Sequence, residues 1–414
     1  MIRAAEPTRH AVIVAFWAVL TPRQILFLQT LKEEGWRITV LAWDREGSGK
    51  GPVLPEGLVD EVRLISLPAP AWSLRLLARL PRYYARLLRE VERIPGRPMW
   101  ILTHFLHLPI ARFLRGRVLY DAAEMYAVDM GFYAGPLRRV ATSMLDRIEL
   151  LLVRGVDGIT TVDSLNGWLE TRYRGIGKPV QVLWNLPARS DDVVPGRNRT
   201  LDLTGSSGAS AGSGAQESRK LVAYAGGLMK EKGFRVILEA AARVLEVCPD
   251  TQFVFYGRLK DDEAAVSRLL DQLGLGEAVR FFSHVPYPEL LVELQKCSVG
   301  LAPYQPVYHY PLVSSGNARK IFSYMQAGIP VVAPDFGEIG NVVREVECGH
   351  LVDTEDPEAL ADAVIDLLVH AEQAHAMGER GRRAFETRFS WEEERSKLMG
   401  LVDSLAKNGK AAGE

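Results

Sequence analysis

The sequence predicts an α/β protein of two domains, each built on a doubly wound parallel sheet. Predicted strands and helices alternate along most of the chain, which is typical of parallel sheets with helical crossovers. The chain has 414 residues, a length that suits two domains. A Gly- and Ser-rich stretch at residues 205–215 interrupts the alternation. Because this composition is flexible, it predicts a connection between the two domains.

The first half begins with an apolar run at residues 11–16, which predicts a buried strand, and a helix is predicted at residues 22–34. Further apolar runs predict strands at residues 37–43, 62–67, 98–102, 118–121, 158–162 and 180–183. Residues 108–114 and 137–153 have helical patterns. We therefore expect an N-terminal domain over residues 1–194.

Residues 72–97 carry arginines at three- or four-residue spacing with leucines between them. The arginines are Arg75, Arg79, Arg82, Arg86, Arg89 and Arg93. A basic amphipathic segment of this kind is typical of a helix at an anionic membrane surface. It fits equally a surface helix that packs its leucines on the sheet. Pro81 predicts a kink, and therefore two shorter helices.

The second half repeats the alternation. Strands are predicted at residues 221–225, 253–256, 279–282, 299–302 and 331–333. Helices are predicted at residues 234–247, 262–273, 289–296, 318–327, 357–371 and 374–389. We expect a linker over residues 195–219, a C-terminal domain over residues 220–389, and a last helix within residues 390–414 that returns toward the first domain.

Composition and charge restrict the location and the partners. A hydrophobic fraction of 47% with 24% charged residues is ordinary for a globular protein. We find no secretory signal and no apolar stretch of about 18 residues, and three scattered cysteines suit a reducing cytosol. Residues 1–190 carry 26 Lys and Arg against 18 Asp and Glu, whereas the remainder carries 24 against 33. We expect a cytoplasmic protein, or one peripheral to the inner face of the cell membrane, with an anionic partner for its basic half.

A Gly-rich loop follows the first strand of the second half. Gly226 and Gly227 allow a ligand to approach the backbone closely, and Lys232 can meet a phosphate as a point charge. Gly-rich loops between a strand and a helix are common in proteins without phosphate sites, so the plain structural interpretation stays open.

A second anion site is predicted where the helix at residues 318–327 begins. Ser314, Ser315, Gly316 and Asn317 precede that helix, and free N–H groups at a helix start bind anions such as diphosphates. Arg319 and Lys320 lie in its first turn and could add positive charge. They could equally be ordinary solvated helix residues.

Other candidate residues follow strand ends, where doubly wound sheets bind their ligands. Gly257, Arg258 and His284 follow strands of the second half, and His284 could also be a loop histidine without a role. In the first half, Asp121 and Glu124 end a strand and could act as acids, or could be a helix N-cap with first-turn charge.

The run Lys320-Ile-Phe-Ser-Tyr-Met-Gln-Ala-Gly-Ile-Pro-Val-Val332 resembles the donor-side signature of glycosyltransferase family 4. The loop from Gly226 to Gly233 and the run Tyr120-Asp-Ala-Ala-Glu-Met-Tyr126 also resemble motifs of that family. The resemblance implies a GT-B fold, with two facing Rossmann-like domains. The first domain would bind the acceptor and the second the nucleotide sugar.

The resemblance assigns roles residue by residue. Lys232, Asp121 and Glu124 are the expected catalytic residues. The expected donor-binding residues are Gly226, Gly227, Gly257, Arg258, His284, Ser314, Ser315, Gly316, Asn317, Arg319, Lys320 and Ser323. This chain departs from the family at four points. The loop arginine of the family is Gly227, its two donor-site glutamates are Ser315 and Ser323, and its histidine is Ala123.

The expected function is a retaining hexosyl transfer from a nucleotide sugar to a saccharide or a lipid-linked saccharide, in polysaccharide or glycolipid synthesis. We expect no cofactor, no metal and no nucleic-acid partner. Because the departures fall on donor-site residues, two alternatives stay open. One is a non-catalytic relative that binds a glycan or a partner transferase, and the other is a nucleotide-sugar epimerase.

Overall fold

A computed structural model of the chain describes residues 9–69, 74–126, 137–162, 164–189, 200–201, 220–283, 285–307 and 318–408. The chain forms two compact units. The first unit consists of Met1–Trp184 together with Glu394–Glu414, and the second is Asn185–Glu393. Apart from Thr200–Leu201, the expected linker at residues 195–219 lies outside the described residues, as does the expected boundary at residue 194.

The first unit is built on a seven-stranded parallel sheet. Its strands are β1 His10–Ala15, β2 Arg37–Asp44, β3 Glu61–Ser66, β4 Met99–Leu102, β5 Arg117–Ala122, β6 Gly158–Thr161 and β7 Val180–Val182. They are ordered β3-β2-β1-β4-β5-β6-β7, with β1 and β4 at the centre. The apolar run that predicts β1 is buried from Ala11 to Ala15, as expected for a strand covered on both faces.

Among the described residues of this unit, four α-helices lie between its strands, and a fifth comes from the C-terminus. They are α1 Pro22–Glu33, α2 Leu74–Glu92, α3 Arg138–Val153, α4 Trp168–Arg174 and the last helix of the chain, α12 Trp391–Asn408. α1 begins with a capping box, in which Thr21 and Gln24 exchange side-chain and backbone hydrogen bonds. From Glu394 onward α12 packs in this unit, and its Leu405 side chain lies against Gly158.

The structure corrects two predictions about this unit. α2 is one continuous helix with Pro81 inside it, because Leu76 and Tyr83 are buried on either side of the proline. Pro81 itself is exposed, so water can satisfy the carbonyl that it leaves without a donor. Residues 108–114 are part of a 3₁₀ helix, Phe105–Phe113, rather than an α-helix. Pro109 lies inside it and lacks the N–H that a continuing α-helix would use.

The second unit also contains a seven-stranded sheet. Its strands are β8 Thr200–Leu201, β9 Lys220–Ala225, β10 Thr251–Tyr256, β11 Val279–Phe282, β12 Val299–Leu301, β13 Val331–Pro334 and β14 Gly349–Val352. Their order is β14-β13-β12-β9-β10-β11-β8, and the edge strand β8 is antiparallel to β11. Two residues of the expected linker therefore belong to this sheet.

Seven α-helices in the described part of the second unit cover this sheet. They are α5 Phe234–Val247, α6 Glu263–Gln272, α7 Tyr287–Gln295, α8 Arg319–Ala327, α9 Gly337–Val346, α10 Pro357–Val369 and α11 Ala371–Thr387. The core includes a cluster of aromatic side chains, in which Phe255 stacks on Phe281 and the edge-on ring of Phe234 contacts both. α9 and β14 were not predicted. The doubly wound α/β architecture of both halves is confirmed.

Tyr324 fixes α8 on the sheet at the point where β9 and β12 are neighbours. Its hydroxyl accepts a hydrogen bond from the backbone N–H of Ala225 at 2.9 Å and donates to the carbonyl of Leu301 at 2.9 Å. Both bonds are buried, where satisfied polar contacts strongly favour one arrangement. α8 is therefore held with its first turn beside the loop that follows β9.

Candidate functional site

The loop after β9 is held against the loop after β10. The N–H of Gly226 donates to the carbonyl of Tyr256 at 2.8 Å, and the N–H of Leu228 donates to the carbonyl of Arg258 at 3.0 Å. A Cβ on Gly257 would lie 1.9 Å from the carbonyl oxygen of Gly226, so only glycine fits there. The structure thus brings the predicted residues Gly226, Gly227, Gly257 and Arg258 together, with Arg258 contributing through its backbone.

The same loop leads into α5 through a short 3₁₀ helix, Lys230–Lys232. Gly233 follows with φ of +77°, and a Cβ there would lie 2.1 Å from the carbonyl oxygen of Pro303. A glycine is therefore required at this turn, which places Lys232 at the N-terminal end of α5. A helix start of this kind favours anionic ligands.

Lys320 is the most unusual residue of the site. It is only 7% exposed, and its amino nitrogen has no hydrogen-bond partner among the described residues. Its amino nitrogen lies 3.8 Å from the ring centroid of Tyr224 and 4.6 Å from that of Tyr304. A Cβ on Gly226 would lie 3.5 Å from this nitrogen. The amine therefore lies at the Gly-rich loop, and its hydrogen-bonding capacity is unused by the described part of the chain.

The electrostatics of Lys320 follow from this position. Burial lowers its pKa well below the usual value, and the positive charge of Lys232 lowers the pKa further. An ammonium group without hydrogen-bond partners is costly to bury. Lys232 and Lys320 also repel each other. An anion bound between them would offset both the cost of burying the Lys320 ammonium group and this repulsion.

Lys260, which the sequence analysis did not single out, completes a lysine cluster of Lys232, Lys260 and Lys320. Its side chain packs at the loop, since a Cβ on Gly227 would lie 3.4 Å from the Lys260 Cε. The N–H of Lys260 donates to the carbonyl of Leu228 at 2.9 Å. Lys260 could have been predicted from its position, because it follows the end of β10 by four residues and lies at the same edge of the sheet as Gly226.

Ser323 and Arg319 form a second part of the site with Tyr287, another residue that was not predicted. Ser323 is 3% exposed and donates to the carbonyl of Arg319 at 3.3 Å. The Tyr287 hydroxyl lies 3.2 Å from the Ser323 Oγ and donates to the Gln326 Oε1 at 2.7 Å. The Arg319 guanidinium lies over the Tyr287 ring at 5.0 Å, and burial lowers the pKa of Arg319.

Arg319 also has an unused donor, because its buried Nη1 makes no hydrogen bond to the described residues. α8 begins at Arg319, after Ala318, and no side chain caps it among the residues that the structure describes. The predicted residues of the helix start, Ser314, Ser315, Gly316 and Asn317, lie outside the described residues, and so does His284.

In the first unit, Asp121 is part of a buried ion pair. Arg23 Nε and Nη2 donate to its carboxylate at 3.0 to 3.2 Å, and Thr160 Oγ1 donates at 2.8 Å. Arg23 and Asp121 are 3% and 2% exposed. A carboxylate with these partners holds β5 to α1 and β6, so the geometry favours a structural role for Asp121. Glu124 follows β5 and is partly buried.

Two histidines lie near the same end of this sheet. His104 and His107 are buried, and burial lowers the pKa of His107 to about 3. The His107 Nε2 lies 3.0 Å from the hydroxyl of Tyr83 on α2, and His104 stacks on Phe16 with a centroid distance of 3.9 Å. Both side chains therefore pack at the strand ends, where burial lowers the pKa of each ring.

No group of His, Cys, Asp and Glu among the described residues has the geometry to hold a metal ion. In the described part of the chain, no helix is both long and apolar enough to span a membrane.

Comparison with known proteins relates the second unit to glycosyl transferases. The family model described as "Glycosyl transferases group 1" matches residues 209–384. D-inositol 3-phosphate glycosyltransferase of Corynebacterium urealyticum is 31% identical over 194 residues, which are 45% of this chain and 44% of that protein. Phosphatidyl-myo-inositol mannosyltransferase of Mycobacterium leprae is 32% identical over 181 residues, which are 43% of this chain and 44% of that protein. The chain thus spans less than half the length of these two relatives.

The likeness in fold extends to both halves of the chain. Sucrose-phosphate synthase of Thermosynechococcus elongatus superposes with a TM-score of 0.71 at 16% identity, covering 97% of this chain and all of that one. At this identity the likeness shows the fold alone. The expected GT-B fold class is confirmed.

Proposed function

We propose that the chain transfers a sugar from a nucleotide-sugar donor to a saccharide acceptor, because residues 209–384 match the family model of the group 1 glycosyl transferases. The observation that carries the proposal is the buried Lys320 amine, which lies beside Gly226 and has no hydrogen-bond partner among the residues that the structure describes. Lys232 and Lys260 surround the same loop. A nucleoside diphosphate is the ligand that would accept hydrogen bonds from the Lys320 amine and neutralise the positive charge of the three lysines.

The lysine cluster also offers a substitute for the arginine that the family has at Gly227. Lys320 comes from a different element, α8, but its amine reaches the same loop. When the bond between the sugar and the diphosphate breaks, negative charge grows on the leaving diphosphate. Fixed cations in a site with little water stabilise that charge without having to reorganise. We propose that Lys232, Lys260 and Lys320 have this role.

We propose that the transfer retains the configuration of a hexosyl group. The acceptor oxygen would attack on the face that the diphosphate leaves, and its proton would pass to the diphosphate. This chemistry needs positioning and charge stabilisation rather than a protein nucleophile. Because this reaction needs no protein nucleophile, it does not require the Asp121 carboxylate, which is paired with Arg23. No cofactor or metal enters the proposed reaction, and Glu124 remains the candidate acid of the first unit.

The acceptor class is proposed from the relatives. One of them is named for phosphatidyl-myo-inositol and another for inositol 3-phosphate. We propose a lipid-linked or polysaccharide acceptor and a place on the inner face of the cell membrane. The basic segment at residues 72–97 would face the anionic surface with its exposed arginines, since Leu76 and Leu87 of the same segment are buried.

The test combines binding with turnover. A panel of nucleotide sugars is incubated with the protein and a membrane lipid extract, and the released nucleoside diphosphate is measured. Binding of nucleoside diphosphates is measured separately by calorimetry. We expect release that depends on the extract. Turnover of the donor without an acceptor would favour an epimerase. A folded protein with neither binding nor turnover would leave the non-catalytic, glycan-binding alternative.

A further inference from the structure

The outer side of α3 exposes a continuous apolar stripe. Its members are Leu137, Val140, Met144, Ile148 and Leu151, which are 67%, 68%, 56%, 41% and 63% exposed. Spacings of three and four residues place all five on one side of the helix. The stripe is roughly 20 Å long at 1.5 Å per residue. Single exposed apolar residues are ordinary, but an aligned series of five marks an interaction surface.

The opposite side of α3 is fully engaged in the first unit. Glu149 is 2% exposed and accepts hydrogen bonds from the hydroxyls of Tyr120 and Tyr173 at 3.0 and 2.8 Å. Arg172 pairs with both Glu149 and Asp146. These two carboxylates are the acidic groups of the helix, and both are neutralised away from the stripe. The orientation of α3 is therefore fixed, and the stripe cannot turn inward.

Positive charge lies beside the stripe. Arg147 and Arg154 are exposed, and each follows a stripe residue, Met144 or Leu151, by three positions, so both lie along one border of the stripe. Within the described part of the chain, neither forms an ion pair. The surface is thus apolar along its centre and cationic along its edge.

α2 adds further cations on the same face of the sheet. The connections β3 to β4 and β5 to β6 run in the same direction across the strand order. Right-handed crossovers therefore put α2 and α3 on one side. Arg79, Arg82 and Arg89 of α2 are exposed and have no ion-pair partner among the described residues.

We infer that α3 is a membrane-docking helix, whose apolar stripe inserts between the headgroups of an anionic phospholipid surface while arginines of α3 and α2 contact the phosphates. An interfacial helix of this kind buries its apolar side chains at the boundary of headgroups and acyl chains. A second copy of the chain fits less well, because pairing two such surfaces would bring their arginines together without acidic partners. The inference extends the peripheral location proposed above and does not depend on the donor chemistry.

The experiment is co-sedimentation with vesicles of phosphatidylcholine alone and of equal parts phosphatidylcholine and phosphatidylglycerol. We expect the protein to bind the mixed vesicles and to ignore the neutral ones. The double variant Met144→Glu/Ile148→Glu changes two exposed side chains, so the fold is retained, as a melting curve checks. We expect it to lose at least tenfold in vesicle affinity. The matched control Val247→Glu/Val369→Glu alters residues of the second unit that are 57% and 56% exposed, and it should bind like the parent.

Three outcomes would overturn the inference. The first is unchanged vesicle binding by the α3 variant, and the second is equal binding to neutral vesicles. The third is a concentration-dependent dimer that ignores vesicles and that Met144→Glu/Ile148→Glu dissociates, which would identify a second copy as the occupant. Calorimetry of nucleoside diphosphate binding on the same variants keeps the two proposals apart, because the α3 variant should keep the parent affinity.

Discussion

The Lys320 amine lies 3.8 Å from the centroid of the Tyr224 ring and makes no hydrogen bond to the described residues. The ring offers a buried cation partial compensation, but the three N–H donors of the amine find no acceptor among the described residues. The folded chain thus maintains a costly arrangement at the edge of the second sheet. Such costs concentrate at functional sites, where a ligand removes them.

Replacing Lys320 should raise the folding stability and weaken the binding of nucleoside diphosphates. Lys320→Met removes an unpaired buried amine and keeps the packing on Tyr224 and Tyr304, so we expect a higher melting temperature than in the parent. The same change should weaken nucleoside diphosphate binding by about 1.5–3 kcal/mol, the range for a hydrogen bond to a charged group. Lys230→Met, at an exposed lysine two residues before Lys232, is the control for loss of charge alone. A Lys320→Met protein that melts earlier and binds normally would contradict the assignment.

Nucleotide binding should be linked to proton uptake. Burial and Lys232 lower the pKa of free Lys320, and a bound diphosphate would raise that pKa again. Between the two pKa values the complex holds one proton more than the free protein, so affinity should fall as pH rises. Calorimetry in buffers with different ionisation enthalpies measures the uptake directly. Lys320→Met should abolish it, and proton uptake that persists in this variant would assign the proton to another group.

Lys232 and Lys320 should not act independently. Lys232→Ala is expected to weaken nucleoside diphosphate binding by about 1.5–3 kcal/mol. It also removes the repulsion that lowers the pKa of Lys320. The double variant should therefore differ from the sum of the single changes by at least about 0.5 kcal/mol, as is usual for residues that share a ligand. Strict additivity would indicate that the two lysines serve different sites.

Ser323→Glu tests whether the glutamate of the family can be restored. Ser323 is 3% exposed and its hydroxyl lies 3.2 Å from that of Tyr287. A longer side chain overpacks this position, and we expect a loss of about 1–3 kcal/mol of folding stability. Nucleotide affinity should not increase. Chemical denaturation and calorimetry measure the two effects, and a stable Ser323→Glu protein with tighter nucleotide binding would show that the ribose is seated there.

Asp121→Asn should lower the folding stability of the protein. The change leaves the Arg23 guanidinium buried without its charged partner, and breaking a buried pair costs about 3–5 kcal/mol. Asp403→Asn, which removes an exposed partner of Arg9, should cost at most about 1 kcal/mol. Denaturation midpoints of the two variants give the comparison. A stable Asp121→Asn protein that lacks sugar transfer would return Asp121 to a catalytic role.

The sequence by itself determined the order of the elements and most of their bounds. Apolar runs such as residues 11–16 predict buried strands, because burial removes their side chains from water. Gly328 ends α8 as predicted, with φ of +74°. Signals of this kind are local, because they depend on burial periodicity and on the backbone freedom of single residues. The loop at Gly226 and the lysine Lys232 could be found for the same reason.

Tertiary structure alone decided which residues of the site meet. Lys260 comes from the loop after β10 and Tyr287 from α7. The position of Lys260 after a strand end is visible in the sequence, but nothing there pairs Lys260 with Gly227 or Tyr287 with Ser323. Packing across Pro81 keeps α2 in one piece, and the pair with Arg23 determines what Asp121 does. The exposed stripe of α3 likewise depends on which side of the helix Glu149 holds inward. These outcomes depend on long-range contacts, whose free energy exceeds the local preferences that a sequence displays.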